Sequence, residues 1–367
     1  MRIAILTLPL HRNFGGILQC YALQTVLERM GHEVSVLSTD VVSVTRRTRL
    51  QLFIKRWIKH YLLKRESKFY GGKTETEIVS QYVLPFIRQY IHRLDVKDYA
   101  CLQEQDFDAI VAGSDQIWRP AYYQPIANAY LKFAKDWTHI KRVAYATSFG
   151  TDEWEYTPEE TQECAALLKQ FDTVSVRESS AVQLCKEHFQ VKAVHLLDPT
   201  LLLTKEDYLS LEGVKNTPKH QGELFCYFLD ETQEKLQWAK ILCSKRGWQS
   251  FQANNPHADE DVHFEKRIQL PLEPWLAGFR DAQFVLTDSF HGCVFSILFN
   301  KPFIAIGNVG RGMARFRSLL ALFQLEDRLL LSEQIETLAD RPIQWERVNR
   351  ILEEERGKAF SFLNVLR

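Results

Sequence analysis

The chain lacks an excess of charge of either sign: 46 lysines and arginines are matched by 46 aspartates and glutamates among 367 residues. Without a global positive field there is nothing to gather a polyanion, and no nucleic-acid partner is expected. Cysteine is sparse and unpatterned. The seven thiols, Cys20, Cys101, Cys164, Cys185, Cys226, Cys243 and Cys293, are odd in number and never spaced as CxxC, which argues against both a zinc site and a secreted disulfide framework. No His, Asp or Glu cluster stands at metal-ligand spacing except the run Asp259-Glu260-Asp261, which sits in a polar loop and reads as solvated surface. No metal and no cofactor are therefore expected. Long apolar runs are missing as well: nothing approaches the ~18 residues of a membrane span. The apolar stretch behind Met1-Arg2 covers only about eight residues before His11, too short for a signal-peptide core. These absences lead to the expectation of a cytoplasmic protein.

What is present is ordinary in bulk. Hydrophobic residues make up 46% and charged residues 25%, as in folded soluble chains, and at about 150 residues per domain the length suggests two domains. Ile3 to Leu8 is an apolar run of strand length. A loop with Asn13, Gly15 and Gly16 follows, and then Leu18, Ala22, Leu23, Val26, Leu27 and Met30 recur at helical spacing up to the stop at Gly31. His32 to Thr39 alternates as the next strand, with Asp40 closing it, so the chain opens as a β-α-β unit. Short apolar strands are expected again at 109–112, 143–147, 173–176 and 193–197, and a helix at 179–188, which together imply a mostly parallel sheet covered on both faces. After Asp198-Pro199-Thr200 the text becomes irregular through residue 222, and the domain boundary is placed there. A second alternation follows: strands at 224–229, 284–287 and 303–306, with helices at 232–246, 275–281 and 289–300. The expected division is 1–200, 215–330 and a terminal helical segment 331–367.

One insertion breaks the first rhythm. Between Thr45 and Arg65 lie eight basic residues and no acid, while Leu50, Phe53, Ile54, Trp57, Ile58, Tyr61 and Leu62 recur at three- and four-residue intervals. That pattern predicts a basic amphipathic helix around 45–65, either packed on its own domain with a solvated basic face or docked peripherally on an anionic membrane surface.

Several runs could carry chemistry. The loop Asn13-Phe14-Gly15-Gly16 stands between strand and helix, where free N–H groups favour an anion, although two adjacent glycines also suit a tight turn. Gly113-Ser114-Asp115-Gln116 follows a buried strand, and Tyr145, Thr147 and Ser148 end the next one. Arg177 and Glu178 end the strand after that. Ligands bind at that edge of open α/β sheets, although Ser114 or Asp115 would serve equally as a helix cap. The most informative stretch is Thr287-Asp288-Ser289-Phe290-His291-Gly292, which places a histidine, a group that titrates near neutrality, in the first turn of a helix at the sheet edge.

Four runs in this order, NFGGILQCYALQ (13–24), GSDQIW (113–118), SVRE (175–178) and TDSFHG with FSILFNKPF (287–303), resemble the polysaccharide pyruvyl transferase family, over roughly residues 1 to 325. The resemblance implies a glycosyltransferase-B-like α/β fold of two Rossmann-like domains with the active site in the cleft between them. It also implies transfer of pyruvate from phosphoenolpyruvate to a sugar of a cell-surface polysaccharide or its lipid-linked precursor, as a ketal. On that basis His291 and Asp115 are the catalytic candidates. Arg177, Ser289, His291, Gly292, Arg311 and Arg315 are candidates for the donor, and Asn13, Gly15, Gly16, Gln19, Ser114, Gln116, Tyr145 and Ser148 for the remaining substrate contacts. Some members carry arginine where this chain has Ser289, which raises the interest of Arg311 and Arg315. The acceptor is expected to be set by the loops 68–76 and 253–263. A nucleotide-sugar glycosyltransferase and a non-catalytic assembly subunit of the same fold are the alternatives.

Overall fold

The computed structural model describes residues 1–39, 73–258, 262–307, 312–330 and 335–367. The basic stretch 45–65, the acidic run 259–261 and Arg311 lie outside the described residues, as does Asp40.

The first sheet is built from β1 (Arg2–Leu6), β2 (Glu33–Thr39), β3 (Arg93–Val96), β4 (Ala109–Gly113), β5 (Lys141–Thr147), β6 (Thr173–Val176) and β7 (Val194–His195). Their spatial order is β3-β2-β1-β4-β5-β6-β7, and the pairs are parallel, with Ile3 opposite both Val34 and Ala109. The second sheet holds β8 (Leu224–Tyr227), β9 (Ser250–Phe251), β10 (Phe284–Thr287), β11 (Phe303–Ile306) and β12 (Leu329–Leu330), ordered β12-β11-β10-β8-β9 and again parallel. Strands β4, β8, β10 and β11 are buried at every position, which is why they read as continuous apolar runs rather than alternating ones. The edge strand β3 has no such run and β12 is only two residues long, so periodicity does not announce them; they exist because a neighbouring strand offers a ladder.

Two helices position the site. Helix α1 (Phe14–Arg29) begins where Asn13 Oδ1 accepts the N–H of Gly16 at 3.2 Å, a side-chain cap that satisfies one of the free donors of the first turn. The helix Phe290–Leu298 starts in the same manner, with Ser289 Oγ accepting the N–H of Gly292. The expected helix at 179–188 is α-helical only over Ser179–Leu184 and continues as a π turn, Cys185–Phe189. Helix Met313–Leu322 is an element that the sequence reading did not include.

The two sheets share a core. Phe14 lies 5.6 Å from Trp275, which in turn contacts Tyr227 and Phe295 at 5.1 Å each. The terminal helix Trp345–Leu363 returns to the segment that follows β7. There Arg356 donates to the carbonyls of Leu201 and Leu203, both at 2.6 Å, and Lys141 Nζ donates to the Val365 carbonyl.

Each sheet changes direction once. In the first the chain moves outward from β1 to β2 and β3 on one side and from β4 onward on the other. In the second the break falls between β8 and β10. A crevice opens at such a break because the helices leaving the two strands go to opposite faces. The loops after β1 and β4 therefore face the loops after β8 and β10.

Candidate active site

A buried cluster of charge sits where the two crevices meet. Arg177, directly after β6, is 3% exposed. It donates from Nη1 to Asp198 Oδ2 at 2.8 Å and from Nη2 to Asp115 Oδ1 at 3.2 Å, and its Cζ stands 4.7 Å from the centre of the Phe290 ring. A guanidinium taken out of water persists only when its charge is matched. Burial alone would lower its pKa, but Asp115 and Asp198 outweigh that and hold it up. Asp198 is further fixed through Oδ1 by the backbone N–H and hydroxyl of Thr200, at 3.0 and 2.7 Å. Burial pushes its carboxyl up; His291, Arg177 and Thr200 together bring it well below the usual carboxylate range.

Asp115 adopts φ 58°, a left-handed conformation that a short polar side chain tolerates. Its carbonyl accepts the N–H groups of Ile117 and Ser148 at 2.8 and 3.0 Å, which holds the turn closed. Burial opposes ionisation of its carboxylate, but Arg177, His291 and Arg315 more than compensate and lower the pKa. Asp115 is therefore a carboxylate near neutral pH, suited to accept a proton or to face positive charge rather than to act as an acid.

His291 projects from the first turn of its helix. Its Nε2 lies 3.5 Å from Asp198 Oδ2, longer than a well-formed hydrogen bond. Its other edge abuts Gly15 at the start of α1: a Cβ on Gly15 would lie 2.5 Å from Cε1 and closer still to Nδ1 and Cγ. The glycine is there because imidazole occupies the space. Gly16 is spared a milder crowding, since its Cβ would come within 3.2 Å of Asp115 Oδ2.

Arg315, from the helix Met313–Leu322, also approaches Phe290, with Cζ 5.6 Å from the ring centre. Burial, and then the like charge of Arg177, bring its pKa down to about 10; it remains a cation near neutral pH. Gly312, at φ 97°, precedes that helix. A Cβ there would overlap the Gly150 carbonyl, so this close approach of the two halves requires glycine.

The cleft has two lobes. One, open to solvent, spans about 430 Å³ with the solvent at its mouth included, and is lined by Asn13, Asp115, Gln116, Tyr122, Asp288, Ser289, Phe290, His291 and Arg315 among others. The second, of about 410 Å³, extends from Asn13 and Leu229 toward Tyr227, Asn254 and Gln269. Among the described residues, the first lobe thus brings together two carboxylates, Asp115 and Asp288, an imidazole and a guanidinium. That set can bind an anion and move a proton beside it.

The other sequence candidates fall elsewhere. Arg177 does not line either lobe; Nη1 and Nη2 each reach a carboxylate while Nε is buried without a hydrogen-bond partner, so it supports Asp115 and Asp198 from inside the fold. Gln19 Nε2 donates to Thr7 Oγ1 and the Gly16 carbonyl at 2.9 and 2.8 Å, bracing α1 against β1. Tyr145 is fully buried, its hydroxyl on the Leu197 carbonyl. Ser114 donates to the Ala146 carbonyl, and Ser148 donates to Glu178. Gly292 lies against Thr287, where a Cβ would not fit. Asp288 receives the N–H groups of Leu229 and Asp230 and the Lys235 ammonium at 2.6, 3.1 and 2.6 Å, and so fixes the loop after β8. The sequence reading missed Asp198, which it used only to mark a domain boundary, although Asp198 follows an apolar strand run just as Asp115 does. It also missed Phe290, whose contact with two guanidiniums has no signature in sequence.

Comparison with known proteins agrees with this architecture. No curated protein matches the chain in sequence. Arabidopsis thaliana UGT89C1 complexed with UDP-L-rhamnose aligns over 100% of this chain and 98% of its own, with TM-score 0.52 and 12% identity. The glycotransferase of kitacinnamycin aligns over 98% and 95%, with TM-score 0.51 and 13% identity. A putative UDP-N-acetylglucosamine 2-epimerase from Listeria monocytogenes aligns over 100% and 94%, with TM-score 0.50 and 12% identity. At such identities the likeness is one of fold: two Rossmann-like domains in the glycosyltransferase-B arrangement. No helix among the described residues is long and apolar enough to cross a membrane. The family model for polysaccharide pyruvyl transferase matches residues 13–309, a span that contains Asn13, Asp115, Asp198 and His291, and this chain belongs to that family.

Proposed function

We propose that the chain transfers the pyruvyl group of phosphoenolpyruvate to two hydroxyls of a saccharide, releasing phosphate and forming a cyclic ketal. The observation that supports it is the placement of Arg315 and His291 on one lobe. A small ligand with two anionic groups and an enol carbon needs charge and a proton donor within its own length. Arg315 meets the carboxylate or the phosphate. His291 delivers a proton to C3 of the enol, C2 becomes electrophilic, and one sugar hydroxyl adds to it. Phosphate then departs, and the second hydroxyl closes the ring at C2. One hydroxyl proton replaces the one given to C3, and the other leaves with phosphate, so the histidine ends as it began. Asp115, ionised beside Arg177, is placed to receive a hydroxyl proton on the way.

Incubation with phosphoenolpyruvate and candidate lipid-linked sugars, followed by mass spectrometry for the pyruvyl ketal and assay of released phosphate, tests this. Thermal stabilisation by phosphoenolpyruvate is expected. Stabilisation by a nucleotide sugar in its place, with no phosphate released, would overturn the reading in favour of a glycosyltransferase.

A further inference from the structure

We propose that Ser318 is a positioning residue for the donor lobe: its hydroxyl ties the helix Met313–Leu322 of the second half to Ser179 and His195 of the first, and so holds Arg315 where an anion is met. The proposal rests on the pyruvyl-transfer reading above.

Arg315 and Ser318 stand three residues apart on one helix, hence on one face and about 4.5 Å apart along its axis. Phe316 and Leu320 of this helix are buried in the core, whereas Ser318, 5% exposed, meets the first half of the chain. Its Oγ accepts the N–H of Ser179 at 2.8 Å and lies 3.3 Å from His195 Nε2. That nitrogen carries a hydrogen, because it also stands 3.0 Å from the Arg177 carbonyl, which can only accept. Ser318 Oγ therefore accepts from the imidazole as well as from the amide, and its own hydrogen is directed to Ser179 Oγ at 3.4 Å. All three hydrogen-bonding positions of the hydroxyl are then used.

The Ser179 N–H is not satisfied from its own side. It opens the helix Ser179–Leu184, whose N-cap residue, Glu178, makes no side-chain cap, because that carboxyl is turned to Ser148 and to the N–H of Gly150. The first N–H groups of a helix have no partner within it; here a hydroxyl from the other half of the chain supplies one. The stretch 177–179 is thereby gripped twice, by His195 at the Arg177 carbonyl and by Ser318 at the Ser179 N–H. Arg177 in turn holds Asp115 and Asp198. One hydroxyl thus links the cation of one half to the carboxylates of the other.

Electrostatics give the tie its purpose. Arg315 shares the Phe290 ring with Arg177, and burial and that like charge disfavour a cation there, an effect that Asp115 and Glu178 offset only in part. A cation held against such a push by directional contacts is poised for an anionic ligand before the ligand arrives.

The test removes the same bond from each side. Ser318→Ala deletes the acceptor. Ser179→Pro deletes the donor at the first position of a helix, where proline is favoured; Glu178 before it, extended at φ −112° and ψ 141°, has the backbone that a residue preceding proline prefers. Calorimetric titration with phosphoenolpyruvate should show the dissociation constant raised roughly 3- to 10-fold in each. The double variant should bind no more weakly than the worse single one, since the same bond is lost once. Arg317→Ala, an exposed position of the same helix, should bind as wild type does. Without ligand, hydrogen exchange in peptides that span Ser179, followed by mass spectrometry, should quicken in Ser318→Ala. A donor constant that stays put in both single variants overturns the proposal, even if their melting points fall, because a merely structural serine would do that. So do additive losses in the double variant, or exchange at Ser179 that is unchanged. A wild type that binds no phosphoenolpyruvate would sink the pyruvyl-transfer reading, and exchange at Ser179 would then decide the tie by itself.

Discussion

Gly15 and His291 lie so close that a single methyl group on the glycine would occupy the position of the imidazole. One residue begins the first helix of the first sheet, and the other begins the helix after β10 in the second, 276 positions later. Gly15→Ala should therefore displace His291, with a loss of turnover in the ~10²–10⁴-fold range of a removed general acid–base and an overpacking cost of about 1–3 kcal/mol. Gly357, where a Cβ meets nothing within 4 Å, is the control. Its alanine variant should keep full activity and gain up to ~1 kcal/mol of helix stability. Turnover of Gly15→Ala within a few-fold of wild type would refute the packing argument.

His291→Ala should lower turnover by the same ~10²–10⁴-fold while leaving phosphoenolpyruvate binding within a few-fold. Calorimetric titration alongside phosphate-release kinetics separates the two effects.

Arg177 and Arg315 should part company. Removal of Arg177 leaves Asp115 and Asp198 buried without their counter-charge, so Arg177→Ala is expected to cost about 3–5 kcal/mol of stability. Arg315→Ala should leave the melting point nearer to wild type and raise the donor constant about 10- to 100-fold. Urea denaturation and donor titration of both variants check this, and a stable Arg177→Ala with impaired donor binding would restore Arg177 as the direct clamp.

Two buried carboxyls should impose opposite pH slopes. The folded pKa of Asp198 is lowered, so its contribution is present above the unfolded value near 4 and disappears as pH falls below it. Glu178 is fully buried, bound to Ser148 and to the N–H of Gly150 at 3.1 Å. Burial raises its pKa against the pull of Arg177, Ser148 and Arg315. The folded state then holds that proton more tightly than the unfolded one, and the stability it lends at low pH is lost as pH rises above about 4. Asp198→Asn should flatten the acid limb of the stability curve. Glu178→Gln should remove the decline on the neutral side, measured as urea midpoints from pH 3 to 7.

Much of the architecture follows from local pattern. The strand runs at 109–112, 284–287 and 303–306 and the capped starts at Asn13 and Ser289 are set by burial periodicity and by side chains within three residues of the backbone they serve. The sheet-edge position of Asp115 and His291 follows from the same pattern, because a buried parallel strand must deliver its next residues to that edge. Strand β3 escapes notice because an edge strand is held by its neighbour's ladder and needs no apolar run of its own, and β12 because two residues are too few to show a pattern.

The sequence by itself determined the alternation of strand and helix, the two α/β halves and the family motifs. Only the tertiary structure decided which polar groups are spent and which remain for a ligand. Arg177 reads as an exposed clamp until Asp115 and Asp198, 62 and 21 residues away along the chain, are seen to hold it inside the fold. Tyr145, Gln19 and Ser114 read as substrate contacts until their partners are found inside the fold. Gly15 reads as a turn residue until His291 arrives from the other sheet. Local preferences act over one or two turns of chain, whereas the pairing of a buried charge depends on which distant strands come to lie side by side.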